Sequence, residues 1–354
     1  MIKSLNLKNF TCFNNKIFEF SPGINVFIGE NGTGKTHLMK VLAASLRSVK
    51  DWKLGPDQAN KVLEIDLARN LMGYFKPDEL SSLASKDAGN ANVEIAIKAT
   101  EGNLEYDFSK KGRNTTHVLH AKFSERPQSI FLPSKEIFSI FEGLQKLMKE
   151  KEIALEDTYL HLAEELDSNE LKEGPRFDAV KKLLNPIEKI VGAKAFKKGG
   201  KFYLNEEKVG NLEAHLVAEG IRKIGSIMYL IATGSLSNKS ILFWDEPESN
   251  LNPKLSKMVC DLLASLSENG VQIFIATHDY LISQRLSLMA EYPQKDNATN
   301  IRFFGLSKSD SGVNVQTANT LLGIDNNPIL DEFAAYYDFE QEKFLNQLNA
   351  KSNH

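Results

Sequence analysis

The rhythm of apolar positions changes several times along the chain, and each change marks a predicted element. Ile2, Leu5 and Leu7, then Ile17, Phe18 and Phe20, read as two short strands with a turn at Asn14-Asn15. Ser21-Pro22-Gly23 punctuates the chain before an apolar strand, Ile24-Asn25-Val26-Phe27-Ile28. Leu38, Val41, Leu42 and Leu46 then recur at helical spacing, which predicts a helix over 36–50. Between 51 and 92 the pattern fits two elements: Val62, Leu63, Ile65, Leu67 and Leu71 suit helix or strand. A loop is expected at 73–78 and a short helix at 78–86. Clean alternation returns at 93–99, at 104–108 after the Glu101-Gly102-Asn103 turn, and near 116–123, predicting an antiparallel sheet. Ser129–Pro133 reads as a buried strand.

From 134 to 191 the pattern is helical and charged. Leu144, Leu147 and Met148 mark one amphipathic helix. Ile153, Leu155, Tyr159, Leu160, Leu162 and Leu166 mark others, and Val180, Leu183, Leu184, Ile187 and Ile190 a last one. Gly174-Pro175 and Asn185-Pro186 are expected interruptions. No heptad persists for three or four repeats, so the block reads as a compact helical insertion and not a long coiled coil. Lys194, Lys197 and Lys198, the Gly199-Gly200 turn, and Lys201-Phe202-Tyr203-Leu204 then form a lysine-edged hairpin. It reads either as a solvated edge or as a nucleic-acid contact with Phe202 or Tyr203 stacking on a base. An apolar helix from Val217 through Ile231 ends at Gly234–Asn238. Two apolar strands, 241–244 and 271–275, follow, with helices from Pro253 to Leu266 and over 279–290. Strands are expected at 301–306 and 313–317, then a helix at 327–350. Its Phe333, Tyr336, Tyr337 and Phe344 read as packing or as a partner surface.

The ends of these elements carry the chemistry. The strand at 24–28 runs into Gly29-Glu30-Asn31-Gly32-Thr33-Gly34-Lys35-Thr36 and then into a helix. Gly-x-x-x-x-Gly-Lys-Thr at a strand–helix junction is a phosphate-binding loop. Its glycines let successive N–H groups converge on phosphate oxygens, and the helix adds the positive end of its dipole. Lys35 is assigned to the outer phosphates and Thr36 to Mg²⁺. The strand Ile241-Leu242-Phe243-Trp244 ends in Asp245-Glu246, two carboxylates at the ligand-binding edge of a mainly parallel sheet. Asp245 suits the Mg²⁺ shell, and Glu246 the general base that polarises water. The strand at 271–277 ends at His278, whose imidazole suits a γ-phosphate oxygen or the attacking water. The other histidines share no metal-like spacing.

Composition narrows the context. Hydrophobic residues are 42% and charged residues 25%, an ordinary globular mix. The net charge of -3 gives no global basic field for nucleic acid, which leaves only a local groove. Cys12 and Cys260 are far apart and lack metal-ligand spacing, so a reduced, cytoplasmic setting is expected. Met1–Lys8 is not a signal peptide, and no apolar run approaches the roughly 20 residues that span a bilayer.

With these motifs in order, the chain resembles the ABC-type ATPases of the RecF/SMC class, and within it the short AAA-type ATPases of the OLD/PtuA sort found in bacterial anti-phage systems. Gly29–Thr36 resembles Walker A, Ile241–Glu246 Walker B, and His278 the switch histidine. Ser249, Asn250, Leu251 and Asn252 resemble the D-loop. Val217–Lys223, with Ala218, Glu219, Gly220 and Arg222, resembles the signature that acts in trans. The Asp-Glu-Pro-Glu-x-x-Leu-x-Pro form at 245–253, the opening Leu7-Lys8-Asn9-Phe10 and Ile24-Asn25-Val26 fit that branch. The resemblance covers 1–50 and 210–285 well and the middle in outline. It implies an α/β fold: an ABC-type P-loop ATPase head with an antiparallel β subdomain and the helical insertion. The division expected is 1–133 for the N-terminal half, 134–192 for the insertion and 193–354 for the C-terminal half. It also implies ATP and Mg²⁺ as ligands, a homodimer pairing head to tail on ATP, and a separate effector such as a nuclease or toxin. Three positions depart from the pattern. Ala218 stands where the signature carries Ser, Thr11 where an Arg commonly follows the opening Phe, and Gln128 is the candidate for the metal-side glutamine. Ala218 motivates a second reading, a weakly hydrolysing scaffold that sequesters a partner toxin or nuclease. A transporter-type subunit is a third, opposed by the opening strand pair, the Walker B form and the helical insertion. The segment after His278 reads as too short for the nuclease domain of OLD proteins.

Overall fold

The three mainly apolar runs at 24–28, 241–244 and 271–275 become parallel neighbours in one sheet. In chain order, β1 (Ile2–Phe10) and β2 (Phe13–Glu19) form a hairpin, and β3 (Ile24–Gly29) leads into α1 (Lys35–Asp51) and α2 (Gln58–Phe75). Next come β4 (Val93–Ala99), β5 (Gly102–Phe108), β6 (His117–Phe123) and β7 (Ser129–Leu132), then α3 (Leu144–Lys149), α4 (Asp157–Leu166) and α5 (Pro175–Val191). The chain continues through β8 (Ala193–Lys198), β9 (Lys201–Glu206), β10 (Gly210–Glu213), α6 (Glu219–Ala232), β11 (Ile241–Asp245), α7 (Pro253–Glu268) and β12 (Gln272–Thr277). It ends with α8 (Tyr280–Glu291), β13 (Ile301–Ser309), β14 (Gly312–Ala318) and α9 (Pro328–Ser352). These elements come from a computed structural model that describes the chain except residues 53–57, 112–113, 142, 151–153, 294–299, 310–311, 326 and 353–354. Ile153 therefore lies outside the described residues.

The central sheet has the order β14-β13-β3-β12-β11-β7, parallel except for the β13–β14 hairpin. Both faces of β3 and β12 are covered, which is why their sequences show no polar alternation. Each strand divides its side chains between two cores. Val26, Ile28, Leu242, Trp244, Ile273 and Ile275 face the core that α6, α7 and the helical insertion complete. The opposite face carries a phenylalanine ladder: Phe131–Phe243 at 6.3 Å, Phe243–Phe274 at 5.0 Å, Phe274–Phe27 at 6.4 Å and Phe27–Phe304 at 5.2 Å between ring centroids. That face meets α1 and the antiparallel sheet β2-β1-β4-β5-β6. Because the strands are parallel, their carboxyl ends share one edge: Asp245 is opposite Ala276, and Thr277 opposite Ile28. The phosphate loop, the acidic pair and the histidine all follow from that register.

Several expectations change. The first turn is at Thr11-Cys12, not Asn14-Asn15: Phe10 pairs with Phe13, Asn9 and Thr11 take left-handed φ values of 58° and 50°, and Asn14 lies in β2, accepting a bond from Ser85. Burying Phe10 and Phe13 in the same core sets this tight turn. The ambiguous stretch is helix α2. Its Leu63, Leu67 and Leu71 are buried at four-residue spacing while Val62 and Ile65 face outward. The predicted helix at 78–86 is two short 3₁₀ turns, Leu80–Leu83 and Lys86–Ala88. Asn185-Pro186 does not interrupt α5, which contains Pro186. The ring removes one helical bond, and burial of Val180, Leu183 and Ile187 along one face carries the helix through. Gly174, with φ 153°, and Pro175 begin this helix.

The lysine-edged hairpin is real but belongs to a three-stranded sheet, β10-β9-β8. Phe202 is 2% exposed and stacks on Phe138 with centroids 4.1 Å apart, so it cannot take a nucleic-acid base. Tyr203 stacks on Phe196 at 5.3 Å. Lys194, Lys197 and Lys201 pair with Glu188, Asp167 and Glu213. The insertion is tied to the helix that follows the phosphate loop: Lys40, Arg47 and Lys50 on α1 pair with Glu156, Glu164 and Glu165 around α4. At the other end of the chain, Phe333 stacks on Tyr280 at 4.3 Å, while Tyr336, Tyr337 and Phe344 are exposed. Among the described residues no helix is long and apolar enough to cross a membrane.

Candidate active site

The phosphate loop needs its glycines at specific places. Gly29, Gly32 and Gly34 take φ values of 146°, 80° and 90°. A Cβ on Gly29 would lie 2.1 Å from the Leu306 carbonyl oxygen, and one on Gly34 would lie 2.6 Å from Cys12 Sγ. Thr33 Oγ1 donates to the Glu30 carbonyl at 2.8 Å, which holds the curl. Lys35 Nζ donates to the carbonyls of Gly29 at 2.6 Å and Glu30 at 2.9 Å. Burial lowers the Lys35 pKa, and Asp245, Glu246, Glu248 and Glu30 oppose that shift. Gly34 is the N-cap of α1 and offers no side chain, so the helix start presents backbone N–H groups to an anion.

Across the sheet edge, Thr36 Oγ1 donates to Asp245 Oδ1 at 2.9 Å. This bond joins residues that are far apart in sequence and brings the two predicted metal ligands together. Burial pushes the Asp245 carboxyl up to about 6, with Glu246 adding to the shift and the Thr36 bond opposing it. Hydroxyl and carboxylate oxygens are the donors that Mg²⁺ takes, and an ionised carboxylate disfavoured by burial is what a cation relieves. Thr36 and Asp245 therefore fit Mg²⁺, which would neutralise phosphate charge when bound. One stability result follows. A folded-state pKa above the unfolded 3.8 makes Asp245 favour folding below about pH 4, and this advantage is lost as pH rises through about 6. Asp245→Asn should thus raise the stability of the nucleotide-free protein at pH 7.5 by about 1–3 kcal/mol, and not at pH 4, in denaturant titrations at both pH values.

Glu246 has φ 46°, a left-handed conformation that costs roughly 1–3 kcal/mol for a non-glycine residue. Its N–H donates to the Ala276 carbonyl at 2.9 Å, and Ser249 Oγ donates to Oε2 at 3.3 Å, so neighbouring elements hold the strained residue. His278 Nδ1 lies 3.9 Å from Glu246 Oε1 and 3.3 Å from Glu248 Oε1, and its side chain is 52% exposed. Glu248 is buried beside it and accepts the His278 backbone N–H at 2.9 Å. Burial raises the Glu248 pKa, and the bond from His278 opposes the shift.

The start of α6 is fastened to the loop after Glu248. Asn250, with φ 62°, donates through Nδ2 to Glu219 Oε1 at 2.8 Å, and Lys223 Nζ donates to the Ser249 carbonyl at 2.9 Å. Gly220 is packed so closely that a Cβ there would lie 2.5 Å from a Leu251 methyl carbon. Asn252 caps α7 by accepting the Leu255 N–H. Ala218 is the N-cap of α6 and supplies no side-chain bond.

A family model described as "AAA domain, putative AbiEii toxin, Type IV TA system" matches residues 24–283. The chain belongs to that AAA family. It is also 26% identical over 172 residues to the "DNA replication and repair protein RecF" of Francisella tularensis subsp. mediasiatica (strain FSC147), and equally to that of subsp. novicida (strain U112). Each match covers 45% of this chain and 48% of the relative, so the chain spans about half the length of these curated relatives. Among solved structures, the fold is similar to an Smc head bound to the C-winged helix domain of ScpA, with a TM-score of 0.54, 14% identity and coverage of 90% and 98%. It is similar, too, to an Smc head with an extended coiled coil bound to the C-terminal domain of ScpA derived from Pyrococcus furiosus. There the TM-score is 0.51, identity 14% and coverage 94% and 99%. The phosphate loop and the acidic pair lie within the stretch that the AAA family model matches, on a fold similar to that of Smc heads.

The structure brings Gly29–Thr36, Asp245, Glu246 and His278 to one edge of the central sheet. Gln128 is not among them. It immediately precedes β7, whose Ser129 is opposite Ile241 at the start of β11, so it lies at the opposite edge of the sheet from Asp245. There it accepts a bond from Ser237 Oγ at 3.2 Å, and it is removed from the metal ligands. Arg222 is held within its own chain, donating to Glu136 Oε1 at 2.6 Å and to the Val217 carbonyl at 2.7 Å. Sequence reasoning assigned no role to Glu248 or Lys223. Their signals were an acid straight after Pro247 and a lone lysine four residues past Glu219 in an apolar helix.

Proposed function

We propose that this protein is a Mg²⁺-dependent ATPase that pairs head to tail on ATP. In this reading it is the sensor or motor subunit of a cytoplasmic anti-phage defence or DNA-processing complex, with the effector, a nuclease or toxin, on a separate chain. The observation that carries the proposal is the fastening of α6 to the D-loop rather than to the phosphate loop of the same chain. In this reading the start of α6, capped by no side chain, would face a second subunit's nucleotide, where its N–H groups would favour a terminal phosphate. Each subunit would bind one ATP through Gly29–Thr36 and meet its partner's through Ala218, Glu219 and Gly220. Closure then depends on the γ-phosphate, and hydrolysis through Glu246 and His278 reopens the pair. The description of the family as a putative toxin of a toxin–antitoxin system supports the defence reading. The RecF name of the relatives supports the DNA-processing reading, in which nucleic acid is a partner.

The test is the dependence of turnover on protein concentration. Specific ATPase activity should rise with concentration as dimers form and should require Mg²⁺. Activity per chain that is constant from nanomolar to micromolar protein would contradict pairing. Ala218 favours the second reading, a slow nucleotide-gated scaffold that sequesters a toxin or nuclease. Ala218→Ser restores a capping hydroxyl, so it should stabilise the fold by about 1 kcal/mol and raise turnover. Measured kcat and thermal unfolding check both outcomes. An unchanged kcat would leave the signature hydroxyl without a role here.

A further inference from the structure

We infer that Glu248 is a positioning residue for His278: its carboxylate accepts the ring Nδ1–H as well as the backbone N–H, and so fixes which imidazole nitrogen meets the nucleotide. The inference deepens the ATPase reading and rests on it for its catalytic consequence, though not for its structural claim. The His278 side chain is 52% exposed at the end of a strand, so little packing holds its ring. Glu248 is 9% exposed, and one of its oxygens, Oε1, lies 2.9 Å from the His278 backbone nitrogen and 3.3 Å from Nδ1. Burying a carboxylate in the field of Asp245 is unfavourable unless it meets donors, and the His278 backbone N–H, the Thr277 side chain and the nearby His278 ring supply them.

The carboxylate is itself well placed. Pro247 precedes it, the Leu251 N–H donates to its carbonyl at 2.9 Å, and Lys223 holds the next residue through the Ser249 carbonyl. An ionised carboxylate only accepts, so a ring facing it presents Nδ1–H. The neutral ring then carries its lone pair on Nε2, and the protonated ring carries N–H there. A ring facing Glu248 in this way cannot turn its Nδ1 to the nucleotide. Nε2 is left to accept from water or, when protonated, to donate to a phosphate oxygen.

A merely structural Glu248, one that only caps the end of β12 through the backbone N–H, would leave the ring tautomer unaffected. Histidine ring nitrogen NMR on the nucleotide-free protein at pH 8.5 separates the two. The His278 signals, assigned with His278→Gln, should report the Nδ1–H form in the wild type and should shift to the Nε2–H form in Glu248→Ala. Nε2–H in the wild type, or identical spectra in the variant, would overturn the inference. Kinetics give a second arm. Glu248→Ala should lower kcat about 10–100-fold, the range that loss of an outer partner costs at metal-bound histidines, with KM for ATP changed less than about twofold. Glu248→Gln, which keeps an acceptor oxygen, should recover part of that loss. In a His278→Ala background, Glu248→Ala should cost less than about twofold more, because the pair acts as one unit. An undiminished additive loss, or a fall in ATP affinity matching the fall in kcat, would contradict it. If the wild type shows no Lys35-dependent turnover, the ATPase reading fails, while the nucleotide-free tautomer still decides the link between Glu248 and His278.

Discussion

Lys35→Ala should weaken ATP binding by roughly 30-fold or more. Lys35 Nζ is buried and bonded to two carbonyls of its own loop, Gly29 and Glu30, among four acidic groups. Bound phosphate oxygens would take over those bonds with an ionic partner in a water-poor site. Removing one side of such a charge pair costs about 2–5 kcal/mol, or roughly 30-fold or more in Kd. The variant should stay folded, because the loop curl is also held by Thr33 and by its glycines. Calorimetric titration with MgATP, with a circular dichroism spectrum as the folding control, checks the result. Binding equal to wild type would remove the loop from its assigned role.

Glu246→Gln should bind ATP as the wild type does and lose turnover by about 10²–10⁴-fold, the range a positioned general base contributes. The side chain accepts a bond from Ser249, which glutamine can still accept, and lies 3.9 Å from His278 Nδ1. Its backbone, at φ 46° with the N–H on the Ala276 carbonyl, is unaffected by the change from acid to amide. The loss should therefore appear in kcat with KM nearly unchanged. Single-turnover hydrolysis with excess enzyme is the measurement. A variant retaining a tenth or more of wild-type kcat would shift the general-base role away from Glu246.

What could be read from the sequence followed physical rules that act locally. β3, β11 and β12 were legible because a strand covered on both faces is mostly apolar, with only Asn25 in β3 and Gln272 in β12 interrupting the runs. The phosphate loop was legible because its glycines answer steric demands made by the backbone itself. Thr36 and Asp245 were each assigned to Mg²⁺ from the sequence, and the fold joins them by a hydrogen bond of 2.9 Å. What was missed depends on register and on packing between distant segments. Gln128 seemed a metal-side residue until the parallel register put it at the far edge of the sheet. Phe202 read as a base-stacking candidate, yet its partner is Phe138, which lies in the insertion. Arg222 read as part of a surface presented in trans, and its ion pair with Glu136 could not be inferred from spacing. Strand β10 has only four residues with a single large apolar side chain, too little pattern to distinguish it from a loop.

The central claim, that ATP joins two of these chains through sites each half-completes, is tested most directly by measuring mass in solution. Glu246→Gln should be sized by light scattering after gel filtration, with and without saturating MgATP. The expected result is a shift from the 39.6 kDa chain to about twice that mass with MgATP, absent when Lys35→Ala is added. A single-chain mass at saturating MgATP, with nucleotide binding verified in the same sample, would contradict it.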